Sequence, residues 1–122
     1  MKPDRTSKHA FGKSGEEIAL AYLKKKRYRL VERNFRIFKG EIDIIAYDRE
    51  TLVFIEVKSR TGTAFGLPEE AVTPHKQQQL RKVASGYLAQ HNLMEAACRF
   101  DVVSIVFDER GKYCINHIKN AF

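Results

Sequence analysis

A chain of 122 residues, 43% of them hydrophobic, is long enough to bury one core of its own and too short to divide into two domains. Its 22 Lys and Arg outnumber its 15 Asp and Glu, and the surplus is uneven: residues 1–39 carry +8 and residues 40–122 carry −1. No apolar run approaches the length of a membrane span, no apolar signal core follows Met1, and two cysteines build neither a disulfide framework nor a paired-Cys metal motif. The expectation is a soluble cytoplasmic protein with Cys98 and Cys114 reduced and buried on strands.

Residues 1–12 show no periodic pattern and read as a mobile basic tail, which leaves residues 13–122 as a single domain. A helix follows. Ser14 is placed to cap it and Glu17, three residues on, completes a capping box. Ile18, Ala19, Leu20, Tyr22 and Leu23 make its apolar side, and at 100° per residue Glu16 falls inside that arc. A carboxylate there is either satisfied by the N–H groups of the helix start or kept for a functional role. Lys24, Lys25, Lys26 and Arg27 close the helix. They suit the macrodipole and a solvated surface, and equally a polyanionic partner such as nucleic acid.

Tyr28 to Phe38 alternates enough to form a first strand. The next two apolar runs, Gly40-Glu41-Ile42-Asp43-Ile44-Ile45 and Leu52 to Arg60, are joined by the polar break Tyr47 to Thr51 and read as a β-hairpin. Period two puts Glu41 and Asp43 on one face, with Ile42 and Ile44 on the other; Glu56 and Lys58 share a face opposite Ile55 and Val57. A turn of two residues (Arg49-Glu50) or four sets Asp43 opposite Glu56 and Glu41 opposite Lys58, whereas a three-residue turn would slip the register and separate them. Facing carboxylates roughly 5 Å apart repel unless a cation lies between them. Mg²⁺, which takes carboxylate, water and phosphate oxygens, suits such a pair. The competing reading is a cross-strand Glu41–Lys58 ion pair with Asp43 and Glu56 at a wet sheet edge.

Thr61 to Pro68 is broken by glycine and proline and reads as a loop. Thr73-Pro74 starts a second helix, with Thr as cap and Pro at the first helical position. Leu80, Val83, Ala84, Tyr87 and Leu88 form its buried stripe. Lys76 and Gln77 lie on that stripe one turn earlier, either to meet a phosphate at the helix N-terminus or, for the lysine, to snorkel out to water. After a link at 92–97, Cys98 to Phe107 is a strand, 108–111 a turn and Tyr113 to Ile118 an edge strand. Asp101 either supports the hairpin carboxylates or pairs locally with Arg99. The histidines His9, His75, His91 and His117 show no metal spacing. The order αβββαββ implies an α/β sandwich with a mixed sheet of about five strands flanked by helices.

These residues carry a resemblance. Glu16 on the first helix, Ile42-Asp43 and then Glu56-Val57-Lys58 resemble the PD-(D/E)-x-K nuclease superfamily, with Ile42 where the superfamily label has proline. The fuller pattern of Gly15-Glu16, Tyr22-Leu23, Arg33-Asn34, Gly40-Glu41-Ile42-Asp43, Val53 to Arg60 and Arg99 to Val102 resembles the YraN family, bacterial proteins similar in arrangement to archaeal Holliday junction resolvases. The resemblance covers about residues 12 to 122 and implies a restriction-endonuclease-like fold and a metal-dependent nuclease acting on DNA, including branched or junction DNA. It implies that Asp43, Glu56 and the Val57 carbonyl hold Mg²⁺ or Mn²⁺, with Glu16 contributing directly or through water. Lys58 would assist the attacking water or stabilise phosphorane charge. Glu41 would hold Lys58, and Arg60, Lys76, Gln77 and Lys24 to Arg27 would meet nucleic acid. A homodimer would suit a junction enzyme. A binding or scaffold protein that keeps the fold without turnover is the alternative.

Overall fold

The computed structural model describes residues 8–61 and 72–122. Seven elements follow in the expected order: α1 (Lys8–Lys25), β1 (Arg29–Ile37), β2 (Gly40–Asp48), β3 (Thr51–Thr61), α2 (Pro74–Gln90), β4 (Cys98–Phe107) and β5 (Tyr113–Ile118). The strands form one sheet in sequence order, antiparallel throughout except for the parallel β3–β4 pair that α2 bridges. This mixed α/β architecture is consistent with a restriction-endonuclease-like fold.

Each helix covers one face of the sheet. Ala19 and Leu23 of α1 pack on Ile44, Val53, Ile55, Val103 and Ile105, whereas Leu80, Val83 and Tyr87 of α2 pack on Phe35, Ile42, Phe54, Phe100 and Val102. β3 therefore buries both faces, which explains why Leu52 to Val57 is nearly continuous in apolar side chains. Thr73 caps α2 as its sequence implies, its Oγ1 accepting from the Lys76 N–H at 3.2 Å.

Two expectations need correction. α1 begins at Lys8, so position 14 lies within the helix and not at its N-cap, and Glu17 pairs with Arg33 at 3.3 Å. The tail expected over residues 1–12 is thus helical from residue 8, and residues 1–7 lie outside the described set, as does the expected loop beyond Thr61. Cys98 and Cys114 are free thiols, as expected, but both are exposed rather than buried. They sit where β4 begins and on the edge strand β5, positions that the packed helices leave open.

Gly15 sets how closely α1 approaches β3. A Cβ there would lie 1.8 Å from Ser59 Oγ and 3.0 Å from its Cβ, so only glycine lets this turn of α1 rest on the strand end next to Glu56 and Lys58. Gly15→Ala is expected to destabilise the fold by about 1–3 kcal/mol in urea unfolding. Adding Ser59→Ala should recover part of that loss, because it removes the nearest atom.

Candidate functional site

The site begins with a break in strand alternation. The Arg49-Glu50 turn has two residues, and the β2–β3 ladder runs from Asp48↔Thr51 to Ile44↔Ile55, the register expected from the sequence. The ladder stops there. On the other side of β2, pairing passes from Arg33↔Ile44 to Phe35↔Ile42 across Asn34, whose backbone is left-handed (φ 53°). Asparagine tolerates that conformation better than most residues. The β1–β2 register is unchanged across Asn34, its one shift lying between Leu30 and Glu32, yet β2 turns over at Asp43, so that Ile42 faces α2 while Ile44 faces α1. The shared face expected for these two isoleucines is therefore wrong, because strict alternation does not survive an irregular pair.

Asp43 sits at the kink. Its Oδ2 accepts the Val57 N–H at 2.9 Å, taking the place a ladder carbonyl would have held. The carboxylate is thereby planted in the fork where β2 and β3 part. Glu56, the residue before Val57, is only 7% exposed, and its Oε2 lies 3.5 Å from Lys58 Nζ and 3.9 Å from Lys76 Nζ. Hairpin and α2 thus converge on one carboxylate, bringing Lys76 into the site.

Other expected residues are placed differently. Glu41 pairs with Arg36 at 3.5 Å, its direct cross-strand neighbour on β1, instead of holding Lys58. Glu16 lies within electrostatic reach of Asp43 and also pairs with Arg33 at 3.6 Å. Gln77 turns its amide to the Val72 carbonyl at 3.1 Å, a local bond at the start of α2. Arg60 is half-buried on β3, two residues beyond Lys58. Lys24 to Arg27 are exposed at the C-terminal end of α1, Lys24 and Lys25 in its last turn. At 1.5 Å per residue that is roughly 12–16 Å along the axis from Glu16, away from the site.

The electrostatics of the fork are unbalanced. Burial, then the charge of Glu56, and further Glu16 and Glu41 push the Asp43 carboxyl up to about 7, and the Val57 hydrogen bond only partly opposes this. Among the described residues, no three His, Cys, Asp or Glu side chains converge into a complete ligand set. A cation here would draw on Asp43, Glu56, the Val57 carbonyl and water. Those donors are all hard oxygens, and they fit Mg²⁺ or Mn²⁺ in kind.

Beside the fork is a groove of about 510 Å³, lined by Arg36, Ile37, Lys39, Gly40, Glu41, Lys76 and Gln79. It runs between the β1–β2 turn and the first turns of α2, with three cations on its walls and Lys76 shared with Glu56. Sequence reasoning missed Arg36 and Lys39 as site residues. The tight turn after Ile37 was the signal, since it returns Glu41 to the side of Arg36.

A second polar cluster lies on the α1 face, centred on the fully buried Asp101. Arg99 Nε donates to its Oδ1 at 2.9 Å, as the local-pairing reading expected, and Arg99 Nη2 reaches Tyr28 Oη at 2.6 Å and Asp48 Oδ2 at 2.9 Å. His117, given no role from the sequence, has Nε2 2.7 Å from Asp101 Oδ2 and Nδ1 3.1 Å from Tyr22 Oη. A proton on Nε2 satisfies both contacts. Burial pushes the Asp101 carboxyl up, but hydrogen bonds from His117, Arg99 and the Asn120 N–H more than offset it and hold it below the ordinary carboxylate range. Every group in this cluster has a partner, so it reads as a tie between strands and α1.

The family model described as uncharacterised protein family UPF0102 matches residues 15–105. A UPF0102 protein of Geotalea uraniireducens is 49% identical over 119 residues, covering 98% of this chain and 94% of the relative. A UPF0102 protein of Geotalea daltonii is 52% identical over 111 residues, covering 91% of this chain and 87% of the relative. One from Caldanaerobacter subterraneus is 43% identical over 120 residues, with 97% and 98% covered.

A carboxyl held above its ordinary value favours the folded state when protonated, so this contribution is lost as pH rises through about 7. Metal-free protein should show a urea midpoint that falls between pH 5 and pH 8. Asp43→Asn should flatten that fall, and saturating Mg²⁺ or Mn²⁺ at pH 8 should raise the midpoint of the parent but not of the variant. A flat parent profile would contradict the crowding of carboxylates at the fork.

Proposed function

We propose that this chain, which belongs to the uncharacterised protein family UPF0102, is a metal-dependent nuclease that hydrolyses phosphodiester bonds of DNA. The observation that carries the reading is Asp43 in the β2–β3 fork, crowded by Glu56, Glu16 and Glu41 and bordered by a groove with Arg36, Lys39 and Lys76 on its walls. Negative charge concentrated next to a basic groove suits a cation at the first and a phosphate backbone at the second. The resemblance to the PD-(D/E)-x-K superfamily and to archaeal Holliday junction resolvases supports the same assignment of Asp43, Glu56 and Lys58.

A divalent ion held by Asp43, Glu56 and the Val57 carbonyl would neutralise phosphate charge and lower the pKa of bound water. The chain's own groups supply the rest. Lys58, an ammonium beside Glu56, is placed to hydrogen-bond a non-bridging phosphoryl oxygen as charge builds there. Lys76 can exchange its contact with Glu56 for the incoming phosphate. Glu16 adds a carboxylate from α1 for an ordered water. In the reaction a water oxygen attacks phosphorus, the bond to the leaving oxygen breaks and that oxygen takes up a proton.

One observation favours the alternative of a binding protein without turnover: the Glu56 carboxylate already has two lysine partners and is neutralised without an ion. Cleavage assays separate the two readings. With Mg²⁺ or Mn²⁺, duplex, flap and four-way-junction DNA should include at least one substrate that is cut. Asp43→Ala and Lys58→Ala should each lower the rate roughly 100-fold or more. If no substrate is cut, or both variants match the parent, catalysis at this site is wrong. For binding, neutralising Lys39 and Lys76 should lower the salt slope by roughly one per lost phosphate contact. Neutralising Lys24 to Arg27 should change it less.

A further inference from the structure

The β1–β2 turn is made of residues poorly suited to its backbone. Ile37 pairs with Gly40, so the loop is Phe38-Lys39 alone, and both residues are left-handed, with φ of 53° and 60°. That is the signature of a type I′ turn, which favours Asn-Gly, and a bulky aromatic in this region is strained. Neither side chain is buried in return: Phe38 is 53% exposed and Lys39 is exposed at the mouth of the groove.

The turn is nonetheless held firmly. A Cβ on Gly40 would lie 2.6 Å from Val83 Cγ2, and one on Gly86 would lie 2.8 Å from Phe38 Cε2 and 3.1 Å from Ile37. Two glycines thus let the hairpin tip seat directly on α2, with the edge of the Phe38 ring over Gly86 and Lys82 Nζ 5.6 Å from its centroid. The outcome is a half-exposed aromatic ring on the residue between Ile37 and Lys39, both of which line the groove carrying Arg36, Lys39 and Lys76. A basic groove flanked by an exposed aromatic is the arrangement by which single-stranded nucleic acid is held, the cations following the backbone while a base stacks on the ring.

We infer that Phe38 is a stacking platform for an unpaired base, and that the groove selects DNA with an unstacked nucleotide over continuous duplex. This rests on the reading of the fork and groove as a nucleic-acid site and deepens it by naming the substrate feature. A base inside a duplex has both faces covered and offers nothing to the ring. A flap, a gap or a branch point exposes one, and its backbone then passes Lys39 and Lys76 towards Glu56 and Asp43.

Binding is measured in EDTA by fluorescence anisotropy, with a blunt duplex and with the same duplex bearing a short unpaired flap that contains 2-aminopurine. The parent should prefer the flap and quench the 2-aminopurine. Phe38→Leu, which keeps an apolar cover on α2 but has no π face, should bind the flap roughly 5- to 100-fold more weakly, with duplex binding unchanged. Phe38→Trp should keep both the preference and the quenching. If Phe38→Leu retains the flap preference, or loses flap and duplex binding alike, the platform is wrong. Because no metal is present, these results stand whether or not the protein cuts DNA: failed cleavage overturns the nuclease, and failed discrimination overturns only the platform.

Discussion

The hydrogen bond from the Val57 N–H to Asp43 Oδ2 decides the character of the sheet's centre. A strand amide beyond the last ladder pair needs an acceptor, and here a side chain answers in place of a backbone carbonyl. β2 is then free to part from β3 beyond the Ile44–Ile55 pair, and beside the opening the buried Glu56 carboxylate meets Lys58 Nζ at 3.5 Å. The left-handed Asn34 on β1 permits the kink from one side, and the packing of Ile42 against α2 holds it from the other.

Charge is distributed unequally around that opening. Glu56 is attended by Lys58 and Lys76, whereas Asp43 receives one amide and is crowded by three carboxylates. A purely structural cluster would be expected to neutralise itself, as the Asp101 cluster does through Arg99, His117 and the Asn120 amide. The contrast between the buried Asp101 and the part-buried Asp43 separates a tie from a site. One carboxyl is held below its ordinary range by complete solvation from protein groups, and the other is pushed up by incomplete solvation.

The same economy of close approach recurs at the rim. Gly15, Gly40 and Gly86 each stand where a Cβ would collide, and between them they bring α1 to the end of β3 and the β1–β2 tip onto α2. The carboxylates, the groove and the half-exposed Phe38 therefore belong to one surface, whose close approaches these glycines allow.

Much of this was legible in the sequence. Apolar periodicity and turn residues determined the order of elements, the bounds of β4 and β5 and the Thr73-Pro74 start of α2, because each depends on neighbours within a few positions, whereas the length of the turn at Arg49-Glu50 was left open and the structure set it at two residues. Hairpin arithmetic placed Asp43 and Glu56 at the same end of the hairpin, but the ladder stops at Ile44↔Ile55 before the expected Asp43–Glu56 and Glu41–Lys58 pairs form. Tertiary structure alone decided the reversal of faces between Ile42 and Ile44, the use of His117 by Asp101, and the separation of Lys24 to Arg27 from the site. Each of these depends on how distant segments pack against one another, and a single unpaired residue in a strand, invisible to any pattern of period two, is enough to redirect a side chain from one face of a sheet to the other.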